Sequence, residues 1–294
     1  MNNRTKGIVC IVASAFCFSL MNMFVRLSGD LPTLQKSFFR NIVALVFALA
    51  ILLRSGEGFR IGKGNFKYLL LRSAAGTVGV LANFYAVDHL AQSDASMLNK
   101  MSPFCVILFS YLILKEKLTR WQVLAVVTAF AGSLFVIKPT FANLDLVPSL
   151  LGLMGGICAG FAYTQVRILG LRGVKSPVIV AFFSGFSCLV VLPALVLDYH
   201  PMTAQQLLLL LCAGLAAAGG QFGITKAYTY AAAREVSVYD YTQLIFSTLI
   251  GFLVFDQLPD GWSFVGYALI IAAAVFVFLY NNGRLKLAQP REDG

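Results

Sequence analysis

The chain has 294 residues, 59% hydrophobic and 12% charged, with a formal net charge of +10. Soluble domains are nearer half apolar and a quarter charged, so a water-soluble enzyme, a nucleic-acid-binding module and a disordered scaffold are excluded as first readings. A membrane span needs about 20 apolar residues, which gives this length about ten crossings and no room for a sizeable soluble domain.

The expected elements follow in chain order, as an all-α membrane protein of ten transmembrane helices. Met1 to Lys6 is short and basic, and an apolar run follows from Gly7 to Val25. A signal peptide has a shorter apolar core followed by a cleavage site, and Ala13-Ser14-Ala15 lies mid-run, so this segment reads as a retained first span over 7–27. Ser19, Asn22 and Arg26 share one of its faces. Gly29-Asp30-Leu31-Pro32 turns the chain into a second span, 35–54, which Arg40 opens. The third span, 67–89, places Gly76, Gly79 and Asn83 on one face. In the fourth, 93–115, Ser96, Asn99, Lys100 and Pro103 follow i, i+3, i+4, i+7, and Pro103 removes a backbone hydrogen bond and predicts a kink. The fifth covers 121–138. The sixth, 148–168, carries Gly152, Gly156 and Gly160 at a spacing that permits close helix contact, together with Tyr163 and Gln165. Lys175-Ser176-Pro177 leads into the seventh, 177–197. The eighth, 206–229, has Gln221, Thr225 and Tyr228 on one face and Lys226 near its end. The ninth, 234–255, aligns Ser237, Asp240, Tyr241 and Leu244, and Pro259-Asp260-Gly261 precedes the tenth, 262–281. The six cysteines all fall inside apolar stretches without CxxC spacing and read as small buried apolar residues, not as disulfides or metal ligands.

Loop charge sets an expected orientation. One set of loops and span ends carries 16 Lys and Arg, the opposite set four, Arg26, Lys36, Arg40 and Lys138. The positive-inside rule places both termini in the cytoplasm of a cell with an inner (plasma) membrane, and an even number of spans agrees. The chain also repeats itself. Ala95-Ser96-Met97-Leu98-Asn99-Lys100 faces Val236-Ser237-Val238-Tyr239-Asp240-Tyr241 at an offset of 141, as Ala86 faces Ala227 and Trp121 faces Trp262. Each repeat holds five helices, an odd number, so the second lies inverted in the membrane. The expected division is 1–141 for the first repeat, 142–283 for the second and 284–294 for a cytoplasmic tail. Inverted repeats place a substrate site at their interface near the midplane and support alternating access.

These features resemble the drug/metabolite transporter superfamily, and within it the EamA-type branch. The stretches that carry the resemblance are Ala95–Leu118, with Pro103 and Leu114-Lys115-Glu116-Lys117-Leu118, and Gln221–Leu258, with Ala227-Tyr228. Arg40 in Phe38-Phe39-Arg40 matches a family habit of an Arg opening the second helix. The second repeat departs from the pattern, with Asp256-Gln257 where a Gly-Glu pair is usual. The resemblance implies a ten-helix transporter of small molecules and leaves the substrate open.

Ionisable groups inside a span are costly in lipid and should face a cavity or a partner. Arg40, Arg72, Lys100, Lys226 and Asp240 are such groups. Counting along unbroken helices puts Lys100 and Asp240 each about 10 Å deep and about 10 Å apart along the membrane normal, too far for a salt bridge and comparable to a small metabolite. Their counterpart helices let both face one cavity suited to a zwitterion, its carboxylate toward Lys100 and its ammonium toward Asp240. The plainer alternatives are pairing of Asp240 with Lys226, and of Lys100 with Asp88 or Asp94. Arg40 is expected to attract an anionic group or to pair with Asp30. Asn22, Asn83, Asn99, Gln165, Gln221, Tyr163, Tyr228, Tyr239 and Tyr241 complete the expected substrate-binding set, with interhelical hydrogen bonding and interfacial anchoring as their structural alternatives.

The chain has no GxSxG, P-loop or Rossmann fingerprint, and its two histidines, His89 and His200, cannot form HExxH. It is not expected to be an enzyme or to use a cofactor or metal. The expected function is secondary transport of small organic metabolites, foremost amino acids or related zwitterions. Lipophilic-cation efflux and transport of a carboxylate or phosphorylated metabolite are the alternatives. The expected partners are the small-molecule substrate, a proton or counter-substrate for coupling, and membrane lipid, with no nucleic acid; a monomer or homodimer is expected.

Overall fold

The structure is a computed structural model, described over residues 3–55, 61–114, 119–137, 145–231 and 237–281. The Lys115–Leu118 stretch, Lys138, Arg234 and Val236 lie outside the described residues. Eleven α-helices make up the described chain: α1 (Asn3–Leu27), α2 (Thr33–Ser55), α3 (Phe66–His89), α4 (Gln92–Asn99), α5 (Ser102–Leu114), α6 (Arg120–Ile137), α7 (Leu146–Leu171), α8 (Ser176–Leu197), α9 (Ala204–Tyr230), α10 (Thr242–Phe255) and α11 (Gly261–Asn281). A 3₁₀ turn, Ser237–Tyr241, runs into α10. Eight helical stretches are long and apolar enough to cross a membrane, and two shorter apolar ones, Val123–Val136 and Tyr239–Phe255, bring the total to ten. Apolar side chains such as Leu53, Leu189 and Leu197 point outward, as a lipid-facing surface requires.

Local chemistry sets several boundaries. Pro177 stands in the first turn of α8, where its missing N–H would have no intrahelical partner. Thr203 and Gln206 form a capping box at the start of α9: Gln206 N–H donates to Thr203 Oγ1 at 3.2 Å, and Thr203 N–H donates to Gln206 Oε1 at 2.9 Å.

The contacts between helices have the symmetry of two inverted repeats. α1 packs on α9, and its counterpart α7 packs on α3. α4 and α5 lie against α7, as α10 lies against α1. The pairs α2–α8 and α6–α11 each join a helix to its own counterpart. Among the described residues, the links after α1, α3, α8 and α10 lie at the end of the bundle away from Asn3, here called the distal end.

The fourth span is not one helix. Lys100 N–H bonds back to Ser96 O and Met97 O, and Met101 N–H to Leu98 O in 3₁₀ fashion, before α5 starts at Ser102. Pro103 explains the break, because it has no N–H to offer the Asn99 carbonyl. The glycine ladder of α7 packs against this break. An added Cβ at Gly156 would lie 2.6 Å from Leu98 O, and one at Gly160 would lie 2.4 Å from Cys105 Cβ. The backbones therefore approach at a distance that only glycine allows.

Candidate functional site

The break in the fourth span and the 3₁₀ turn of the ninth face each other, and each presents a charge. Lys100 Nζ donates to Asp240 Oδ2 at 2.7 Å, with side chains only 4% and 2% exposed. This corrects the expected 10 Å separation. The counting assumed unbroken α-helices, whereas the fourth span stops at Lys100 and the ninth begins with a 3₁₀ turn, which climbs about 2 Å per residue. Lys100 lies at the C-terminal end of α4, and Asp240 lies just before the N-terminus of α10, so each charge meets the helix end of opposite sign. Tyr241 Oη donates to Lys100 O at 3.0 Å and braces the break.

The alternative pairings do not form. Lys226 is exposed on α9. Asp88 accepts both of its short contacts, 2.8 Å each, from Lys36 Nζ. Asp94 Oδ1 accepts from Tyr267 Oη. Arg40 pairs with Asn41, not Asp30: its Nη1 donates to Asn41 Oδ1 at 2.5 Å.

A cavity of about 70 Å³ lies beside the pair, between the two repeats. Its walls include Asn22, Arg40, Asn83, Asn99, Lys100, Tyr163 and Gln221, seven of the residues expected from sequence. Asp240 and Tyr241 border it through their bonds to Lys100. Gln165, Tyr228 and Tyr239 are not among its lining residues. Gln165 is buried on α7, the Tyr228 ring lies 5.9 Å from that of Tyr163, and Tyr239 meets the Phe278 ring edge-on at 5.8 Å.

The walls also hold residues that sequence reasoning left out of the site: Arg72, Phe183 and Gln243. Arg72 is buried, donates from Nη2 to Gln221 Oε1 at 3.0 Å, and places its guanidinium carbon 3.7 Å from the Phe183 ring centroid. The Arg40 guanidinium stands 5.6 Å from the same ring. Gln243 follows Asp240 by three residues, a spacing that places it near the same face. Nothing in an apolar run marks Phe183 as special.

Polar ties close the bundle between the cavity and the distal end. Ser96 Oγ and Ser19 Oγ meet Ser247 Oγ at 2.8 and 3.1 Å, and Asn83 Nδ2 donates to Asn22 Oδ1 at 3.2 Å. Above them Arg26 Nη1 donates to Leu90 O at 2.7 Å and to Gln257 Oε1 at 3.0 Å, which joins the two repeats. Gln257 thus has a partner of its own where the second repeat departs from the family pattern. A vestibule of about 510 Å³, walled in part by Arg26, Lys36, Asp88 and His200, opens beyond. A drug-sized ligand site measures about 300–1,000 Å³, so the vestibule falls within that range and the central cavity well below it.

Two inverted five-helix repeats around a charged interface cavity are an architecture of secondary transporters. The EamA-like transporter family model matches the chain twice, over residues 5–138 and 147–279. The chain belongs to the EamA-like transporter family of the drug/metabolite transporter superfamily, and it is a multi-pass membrane transporter of small molecules, not an enzyme. It is 32% identical over 283 residues to the pseudopaline exporter CntI of Pseudomonas aeruginosa strain UCBPP-PA14, covering 95% of this chain and 98% of that one. It is 26% identical over 291 residues to a riboflavin transporter of Brucella anthropi, covering 95% and 100%. Human solute carrier family 35 member G1 is 26% identical over 282 residues, covering 91% and 77%. A solved crystal structure shares the fold with a TM-score of 0.72 at 15% identity, covering 96% of this chain and 99% of its own.

Proposed function

We propose that the chain carries an amino acid or a related zwitterion across an inner (plasma) membrane, with Lys100 and Asp240 as the two poles of the site. The observation that carries this reading is the buried Lys100–Asp240 pair at 2.7 Å beside the interface cavity. A carboxylate competes with Asp240 for Lys100, and an ammonium competes with Lys100 for Asp240. The empty carrier thus keeps these two charges neutralised by each other in a low dielectric, and the substrate replaces each partner by its own group of the same sign. Asn22, Asn83, Asn99, Gln221, Tyr163 and Tyr241 supply neutral hydrogen bonds around it, with Gln165, Tyr228 and Tyr239 in a supporting shell. Export of pseudopaline and transport of riboflavin, the activities named for two relatives, are likewise movements of small organic solutes.

The proposed division at residues 141 and 142 makes rocking of one repeat against the other the transport motion. Coupling is by proton or by exchange, with Asp240 as the carboxylate that gives up its lysine partner when loaded. The termini face the cytoplasm, which puts the vestibule and the Arg26 tie on the far side. A lipophilic cation is a poor fit, because Arg40, Arg72 and Lys100 all line the cavity.

A thermal-shift screen of purified protein in detergent tests the reading, since a ligand of the folded state raises its melting point. Amino acids, nucleosides, carboxylates, sugars and organic cations form the panel. Stabilisation by a zwitterion, lost in Lys100→Ala and in Asp240→Asn, is the expected result. Stabilisation by organic cations alone, unchanged at Lys100, overturns it.

A further inference from the structure

We infer that Arg40 and Arg72 form an oxyanion subsite, so that the solute carries an acidic group beyond the one an amino-acid backbone supplies. This rests on the zwitterion reading and narrows its substrate class.

Arg40 and Arg72 are fully buried, at 0% and 2% exposure, and both line the cavity. Among the described residues, neither guanidinium has a carboxylate within ion-pair distance. Their protein partners are neutral: Asn41 Oδ1 for Arg40, and Gln221 Oε1 with the Phe183 face for Arg72. The Nε atom of each is buried without a hydrogen-bond partner. Asp240, the carboxylate at the site, is already held by Lys100 at 2.7 Å. Three cations and one carboxylate leave the described site with an excess of two positive charges.

Buried charges are costly unless paired, and two guanidiniums kept at a midplane cavity need a purpose that neutral amides do not serve. An entering oxyanion supplies the missing charge and accepts from the planar fork in bidentate fashion. The local packing is shaped for this. A Cβ at Gly76 would lie 2.4 Å from Arg72 Nη1 and 2.9 Å from Phe183 Cε2, so the absent side chain lets the guanidinium lie on the ring. A lipid-facing or merely structural arginine has no need of such a seat.

Carboxylate and phosphate share this chemistry, and matched pairs separate them: L-glutamate against L-glutamine, L-aspartate against L-asparagine, and O-phospho-L-serine against L-serine. Each compound is titrated against purified protein by thermal shift, and half-saturating concentrations are compared within each pair. At least one acidic member is expected to bind about tenfold or more tightly than its neutral twin, the difference that one charge-assisted contact provides. Preference for the amino dicarboxylates marks carboxylate as the source, and preference for phosphoserine marks phosphate. Arg72→Gln and Arg40→Gln each erase the preference, while Arg72→Lys keeps the charge and retains part of it. The wild-type comparison needs no variant and stands if a variant does not fold. Equal binding of acidic and neutral twins, both lost in Lys100→Ala, overturns the oxyanion subsite and leaves the zwitterion reading intact. Preference for acidic members that ignores Lys100 and Asp240 does the reverse. No stabilisation by any of the six overturns both.

Discussion

Tyr241 Oη donates to the main-chain carbonyl of Lys100 at 3.0 Å, and these two residues are counterparts under the 141-residue repeat. A contact between repeat-equivalent residues lies on the pseudo-two-fold axis that relates the halves. The buried Lys100–Asp240 pair therefore sits beside that axis, so the proposed rocking of one half against the other would act on it directly. The cavity is adjacent, so ligand entry and helix movement address the same bond.

That pair predicts a specific stability pattern. Lys100→Met or Asp240→Leu alone leaves an uncompensated buried charge and should cost about 3–5 kcal/mol. The double variant should recover most of that loss while remaining inactive. Thermal melting in detergent and uptake into proteoliposomes read the two effects separately, and additive single and double penalties would refute the coupling.

The glycine ladder of α7 yields a second prediction. Gly156→Ala and Gly160→Ala drive a methyl group into Leu98 O and Cys105 Cβ, and such overpacking costs about 1–3 kcal/mol. Gly170, on the same helix with nothing within 4 Å of an added Cβ, is the control. Gly170→Ala should be neutral or stabilise by about 0.5–1 kcal/mol through helix propensity. Melting temperatures of the three variants decide the matter.

The distal tie predicts a shift between conformations. Arg26→Gln removes the bonds to Leu90 O and Gln257 Oε1 and should favour the form open at that end. The readout is a single cysteine at Asn83, in a background lacking the six native cysteines, reacted in whole cells with a membrane-impermeant maleimide. Labelling should speed up several-fold with Arg26→Gln. An increase seen only in inside-out membrane vesicles, and not in whole cells, would reverse the proposed orientation.

The helix break gives a fourth prediction. Pro103→Ala restores an N–H that can bond to the Asn99 carbonyl and join α4 to α5. Straightening withdraws Lys100 from Asp240, so turnover should fall at least about tenfold while the folded protein remains monodisperse, since each ~1.4 kcal/mol added to the transport barrier slows the rate tenfold. Unchanged turnover in proteoliposomes would show that the break is dispensable.

The membrane-embedded charges were visible in the chain because ionisable residues interrupt apolar runs. Lys100, Asp240 and Arg40 each stood out in this way, and Asn22, Asn83 and Gln221 appeared through their helical spacing. Arg72 was equally visible as a charge, yet nothing along the third span indicated that it faced Arg40 across Phe183. Phe183 itself is one phenylalanine among 25 and carries no local signal. Tyr228 had the same spacing signal as Gln221, and Gln165 stood out only as a polar residue in an apolar span; both lie outside the lining, because the rotation of a helix about its axis is set by its neighbours.

Hydropathy, loop charge and internal repetition are properties summed along one dimension. The amino-acid sequence by itself therefore determined the ten spans, the two five-helix repeats and the residues too polar for lipid. Which of those residues touch is a three-dimensional matter of helix breaks, rotation and close approach. Only the tertiary structure joined Lys100 to Asp240, released Lys226 to the surface and set beside one aromatic ring two guanidiniums that have no carboxylate partner among the described residues. The physical reason is that a single 3₁₀ turn or proline break shifts a side chain by several ångströms, and an ion pair forms or fails over that distance.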